Sequence, residues 1–145
     1  PLLLLFVVFF VTAAAEESGW TGYAFDPLQA RWSALPAAII LGLVWALFHL
    51  VADLQGMHDL GWIAWHRAGA TALRVLIAWV YNSTGQSVLA AVLLHAMDNL
   101  SWQLTPVNGS HYDPALTAPI TALAAALVAY LWGPKTLARF RFANR

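Results

Sequence analysis

Three stretches of this chain carry no charged side chain at all: Trp32–Ala52, Val75–Met97 and Pro114–Pro134. The opening run, Pro1–Ala15, is equally free of charge and almost wholly apolar. A helix crosses the hydrocarbon of a bilayer with about 20 apolar residues, satisfying its backbone hydrogen bonds internally. Runs of that length, repeated along so short a chain, restrict the fold to helices that span a membrane. Composition agrees: the chain has 145 residues, of which 61% are hydrophobic and only 10% charged, against about 25% charged in soluble domains. Seven basic and seven acidic residues cancel, so nothing points to a nucleic-acid partner. There is no cysteine, which removes disulfides, thiolate nucleophiles and cysteine-ligated metals. Five histidines and seven carboxylates are left as the candidates for chemistry.

The Val75–Met97 run is interrupted by Asn82-Ser83-Thr84-Gly85, a turn signal, and so belongs to two helices. The expected fold is all-α: a polytopic membrane bundle of about five transmembrane helices with its polar site in the interior, forming one membrane-embedded domain over residues 1–145. Helix 1 runs from before Pro1 to about Phe25 and is ended by Asp26-Pro27. Helix 2 covers about Ala34–Leu54, with Pro36 tolerated in its first turn. Helix 3 covers Trp65–Tyr81, helix 4 Gln86–Leu104 and helix 5 Leu116–Trp132. Leu28–Trp32 reads as a short interfacial turn, and Gly42 permits a close helix contact. With Pro1 and not Met at its start, the N-terminus is expected to be truncated. The tail carries Lys135, Arg139, Arg141 and Arg145. Positive residues stay cytoplasmic, which puts the C-terminus inside, in a plasma (inner) membrane.

Against this apolar background the polar groups stand out. Glu16 and Glu17 follow directly on the opening run, and an ionisable group at membrane depth is a functional signal because its transfer costs roughly 2.5–3.5 kcal/mol. At 1.5 Å per residue, Glu16 and His95 each lie about 14 Å from a helix end and His49 roughly 20 Å, all near the middle of a layer about 30 Å thick. Trp45 and His49 are four residues apart and share a helix face, as do His49 and Asp53, and His95 and Asn99. Glu16 and Glu17 point about 100° apart, so they serve different partners. Each of these groups also has a bland reading: a helix-end marker, a core histidine, or polar glue between helices. Asp98 is expected to face another side of its helix. His111-Tyr112-Asp113-Pro114 reads as an outer turn, and His58 and His66 as interfacial residues without a role.

Taken in order, Glu16-Glu17-x-Gly-Trp-x-Gly-Tyr, then an aromatic-x-x-x-His helix, then Tyr-Asn-x-Thr-Gly-x-Ser leading into His95-x-x-x-Asn99, the chain resembles the CPBP intramembrane proteases. That family includes type II CAAX prenyl proteases and bacteriocin-processing or self-immunity proteins, and the resemblance covers about Ala15–Leu104. It implies a membrane-embedded endopeptidase acting on a peptide or membrane-protein substrate among lipids. By resemblance, Glu16 and His49 activate a water, while His95 and Asn99 stabilise the oxyanion. The family's first motif is usually Glu-Glu-x-x-x-Arg, and its arginine position is Thr21 here. Arg74, in helix 3 at about the depth of Glu17, is the expected substitute partner, so Glu17, Arg74 and Trp45 are supporting residues.

Peptide hydrolysis needs a base for water, donors for the tetrahedral oxyanion and an acid for the leaving amine. These residues supply all three without a cofactor. Glu16, His49 and His95 are also a conceivable zinc set, two imidazoles and a carboxylate with an open position, though no His-Glu-x-x-His motif is present. Two other functions stay open at this level: a catalytically inactive immunity or scaffold protein on the same fold, and a small transporter using the buried groups as a proton relay.

Overall fold

The computed structural model describes residues 2–56, 58–104 and 111–138, and every regular element among them is helical. The order is α1 (Leu2–Gly19), a π-helical turn (Trp20–Phe25), α2 (Asp26–Trp32), α3 (Ala34–Gln55), α4 (Leu60–Ser83), α5 (Val88–Gln103) and α6 (Pro114–Trp132). This is the expected helical membrane bundle. Leu2–Trp32, Ala34–Gln55 and Pro114–Trp132 are each long and apolar enough to cross a membrane by themselves. The chain is an integral membrane protein.

The first helix departs from expectation. Asp26-Pro27 does not end it; the chain stays helical to Trp32. The reason is local. Pro27 falls in the first turn of α2, directly after the wider π turn, where a missing N–H disrupts little. The break comes instead at Ser33, with φ 69°, so Leu28–Trp32 is a helix and not a loose turn. The backbone N–H groups of Ala34 and Leu35 that this break frees donate to the carbonyls of Lys135 and Pro134, each at 3.0 Å. The segment after α6 thus caps the start of α3. The basic tail beyond Ala138 and the Thr105–Ser110 part of the α5–α6 loop lie outside the described residues.

The other helix starts follow capping chemistry. Asp59, Ser87 and Asp113 accept from the N–H groups of Trp62, Ala90 and Ala115 at the heads of α4, α5 and α6. The Asp59 cap starts α4 at Leu60, one turn before the expected Trp65. The expected turn at Asn82–Gly85 separates α4 from α5, with Gly85 at φ +68°.

α3 packs on α4, α4 on α6 and α1 on α5. Small residues set the closest approaches. A Cβ on Gly42 would meet Thr71 atoms of α4 at 3.1 Å, so a glycine is what lets α3 and α4 close. Ala34, Ala37, Ala38 and Leu41 of α3 bury against Val75, Ala78 and Tyr81 of α4 and Ala125 and Val128 of α6. Ala13 of α1 buries against Val92 and Ala96 of α5. Between these two packed groups, the polar side chains of α1, α3, α4 and α5 meet.

Candidate active site

Glu16 and Glu17 end α1 on different faces, as adjacent helical residues must. Glu17 turns into the protein and is fully buried. Arg74 of α4, also buried, donates to it from Nη1 at 2.6 Å, and Thr21 Oγ, one turn on, donates to the same oxygen. The expected Arg74–Glu17 pair is therefore present. On its other oxygen Glu17 accepts from His95 Nδ1 at 2.8 Å. A carboxylate beside a guanidinium only accepts, so the proton of that bond sits on Nδ1. Glu17 thus fixes both the ring orientation and the tautomer of His95.

Glu16 faces a different side, half-buried, and accepts from Trp45 Nε1 at 2.7 Å. Its Oε2 stands 3.7 Å from His49 Nε2, beyond direct hydrogen-bond reach. His49 Nδ1 lies 3.0 Å from the Trp45 carbonyl one turn back. That carbonyl also only accepts, so Nδ1 carries the hydrogen and the neutral ring presents a lone pair at Nε2. Trp45 joins the two halves of the site. Its ring meets those of His49 and His95 edge-on at 5.2 and 5.1 Å, and the Arg74 guanidinium lies over it at 4.4 Å, a cation–π contact.

Glu16, Trp45, His49, His95 and Asn99 all line one cavity of about 420 Å³. Glu17 and Arg74 stand behind its wall. The cavity continues past Asp53, Arg67, His66, Asp98 and Tyr112. Two expectations change here. Asp98 does not face another side: three residues beyond His95 it remains on the cavity side, as an i,i+3 neighbour does. His66 is not an idle interfacial residue. It lies 3.5 Å from Asp53, which Arg67 binds at 2.6 Å through Nε. The i,i+4 spacing of His49 and Asp53 already aligned these two on one face, and Arg67 in a helix required an acid; together they were the available signal for this second group.

Among the described residues, no three histidine, aspartate or glutamate side chains are grouped as a metal ion would require. Glu16 and His49 approach one another at 3.7 Å, but His95 is not grouped with them as a third ligand. As arranged, the zinc set Glu16, His49 and His95 does not converge.

Comparison with known proteins agrees with this architecture. Residues 1–101 match the family model described as type II CAAX prenyl endopeptidase Rce1-like. The chain is also 28% identical over 140 residues to CAAX prenyl protease 2 of Methanococcus maripaludis, over 90% of this chain and 49% of the relative. It therefore spans about half the length of that curated relative. The family match runs through α1, α3, α4 and all but the end of α5, the helices that carry Glu16, Glu17, Trp45, His49, Arg74, His95 and Asn99, and the chain belongs to the Rce1-like family.

Proposed function

We propose that this chain is an intramembrane endopeptidase in which a water held between Glu16 and His49 attacks a peptide carbonyl. One observation carries the reading: two acceptors, Glu16 Oε2 and His49 Nε2, stand 3.7 Å apart on the cavity wall. A water donating one hydrogen to each is held by both and turns an oxygen lone pair into the cavity. Trp45 Nε1–H keeps Glu16 aimed there. As the water oxygen bonds to the carbonyl carbon, Glu16 takes the proton; as the C–N bond breaks, Glu16 delivers that proton to the leaving amine.

The oxyanion falls to His95 and Asn99. With Nδ1–H donated to Glu17, His95 donates from Nε2 only as the doubly protonated ring, and the Glu17 carboxylate supplies the opposing charge. The Asn99 amide donates regardless of ring state. One such donor is worth about 3–4 kcal/mol in the transition state. Arg74 keeps Glu17 ionised in an apolar setting where a lone carboxylate is costly. No step needs a metal. The inactive-scaffold alternative rested on Thr21 standing where the related motif has arginine. Arg74 on the same carboxylate supplies the missing cation and favours the enzyme.

The substrate is a peptide or the tail of a membrane protein, reached from the lipid phase. The name of that relative, CAAX prenyl protease 2, makes a C-terminal Cys-aliphatic-aliphatic-X sequence the first substrate to try. The basic tail favours a cytoplasmic C-terminus. The test is cleavage of a prenylated peptide ending in Cys-Val-Ile-Met by the purified chain in detergent. Glu16→Gln and His95→Ala should each abolish cleavage while the protein stays folded. Cleavage that survives both substitutions removes the reading.

A further inference from the structure

The chain has seven carboxylates, and six have an evident partner. Glu16 accepts from Trp45, Glu17 from Arg74 and His95, and Asp26 from Tyr81. Asp53 binds Arg67, and Asp59 and Asp113 cap helices. Asp98 has no hydrogen-bond or ion-pair partner for its side chain among the described residues. It is exposed, and the space it borders is the cavity that holds Glu16, His49, His95 and Asn99.

Asp98 differs from the other acids of that cavity in lacking a direct partner. Glu16, Asp53 and Asp98 are acids, and Arg67 is the one lysine or arginine among the lining residues. Arg67 is spent on Asp53, with Nε and Nη2 at 2.6 and 3.2 Å from its two oxygens. Glu16 is held by Trp45 and assigned above to the water. Asp98 has no such bond: the opposing group that acts on it is His95, one turn back on α5, and that ring is hydrogen-bonded to Glu17, which leaves the Asp98 carboxylate free to draw a cation into the cavity.

We propose that Asp98 is a specificity-determining residue that takes a basic side chain of the substrate, lysine or arginine, close to the scissile bond. The proposal rests on the protease reading. Asp98 lies three residues beyond His95 on α5, about 4.5 Å along the axis. An extended substrate advances roughly 3.3–3.6 Å per residue, so the basic residue falls within two positions of the bond that His95 addresses. Asp98 makes no bond to the reacting atoms in this scheme; it selects and holds.

The test uses the full chain in detergent micelles and the prenylated Cys-Val-Ile-Met peptide. Lysine is placed singly at each of the two residues on either side of the cleaved bond, other than the prenylated cysteine, with norleucine there as the uncharged match. The amine released by cleavage has the same charge in every pair, so only the side chain is read. The wild-type chain should favour lysine at one position by at least about tenfold in kcat/KM, the scale of one charged contact. Asp98→Asn should reduce that preference to within about twofold, and Asp98→Arg should turn it toward glutamate at the same position. Equal rates for lysine and norleucine throughout, or a preference that survives Asp98→Asn, overturns the proposal. Binding of the same peptides to the Glu16→Gln protein separates the two readings. An Asp98-dependent lysine preference in binding, with no cleavage by the wild type, sustains the subsite and sinks the protease. Indifference in both binding and cleavage sinks the subsite.

Discussion

Arg74 and Glu17, 57 residues apart in sequence, meet at 2.6 Å with side-chain exposures of 1% and 0%. Removing one member of such a pair leaves an unpaired buried charge and costs about 3–5 kcal/mol. Arg74→Met should therefore lower thermal stability in detergent strongly. Combining it with Glu17→Gln should cost less than the sum of the two single changes, because the double variant leaves neither charge behind. A sharper form relocates the cation. Thr21 Oγ already touches Glu17 and lies 3.4 Å from Arg74 Nη1, so Thr21→Arg in the Arg74→Met background should recover most of the lost stability. No recovery in the melting curve would falsify the idea that Glu17 needs a cation and not Arg74 in particular.

That pair shows what could be read from residues alone. Two adjacent acids cannot share a partner on a helix, a buried arginine cannot go without one, and depth counting placed Arg74 level with Glu17. The i,i+4 pairs Trp45/His49 and His95/Asn99 likewise placed their members on one cavity wall, because helical spacing is fixed by geometry. What could not be read depends on hydrogen-bond bookkeeping between elements. The π turn at Trp20–Phe25 leaves no composition signal, so Asp26-Pro27 looked like a stop when it is the first turn of a continuing helix. Asp98 was misassigned for a related reason. A position 60° from His95 is on the cavity side or off it according to how wide the cavity is, and that width depends on α3, α4 and α6, which also line it, and not on the α5 sequence alone.

Trp45 is the residue whose parts separate most cleanly. Trp45→Phe keeps a ring against His49 and His95 and beneath Arg74 but deletes the Nε1–H that Glu16 accepts at 2.7 Å. A hydrogen bond to a charged group is worth about 1.5–3 kcal/mol, so kcat/KM should fall by roughly 10- to 150-fold. The melting temperature should move little. A variant that unfolds early would mark Trp45 as packing only.

Gly42 ties helix spacing to the site. A methyl group there would press on the Thr71 backbone at 3.1 Å, and backbone cannot rotate away. Gly42→Ala should cost about 1–3 kcal/mol through overpacking. It should also lower kcat, since pushing α3 from α4 moves Trp45 and His49 relative to Arg74. Thermal unfolding and initial rates on one preparation check both, and unchanged values in both would mean that α3 and α4 can part without cost.

Metal removal tests the part of the chemistry with the clearest rival. Both imidazoles in the site have Nδ1 committed, His49 to the Trp45 carbonyl and His95 to Glu17, and each thereby offers Nε2. That is also how zinc-bound histidines are oriented by an outer partner. The two arrangements differ in convergence: a zinc site needs three donors about 2.0–2.2 Å from one point, whereas a water held by Glu16 and His49 needs only two. With only Glu16 and His49 approaching one another here, prolonged treatment with 1,10-phenanthroline or EDTA should leave the cleavage rate within about twofold of the untreated protein. A loss that added zinc restores would instead mean that α5 shifts to bring His95 beside Glu16 and His49. Glu17 would then be an outer partner of a metal ligand, and Glu17→Gln should weaken zinc binding about 10–100-fold, a separate readout by titration that does not depend on activity.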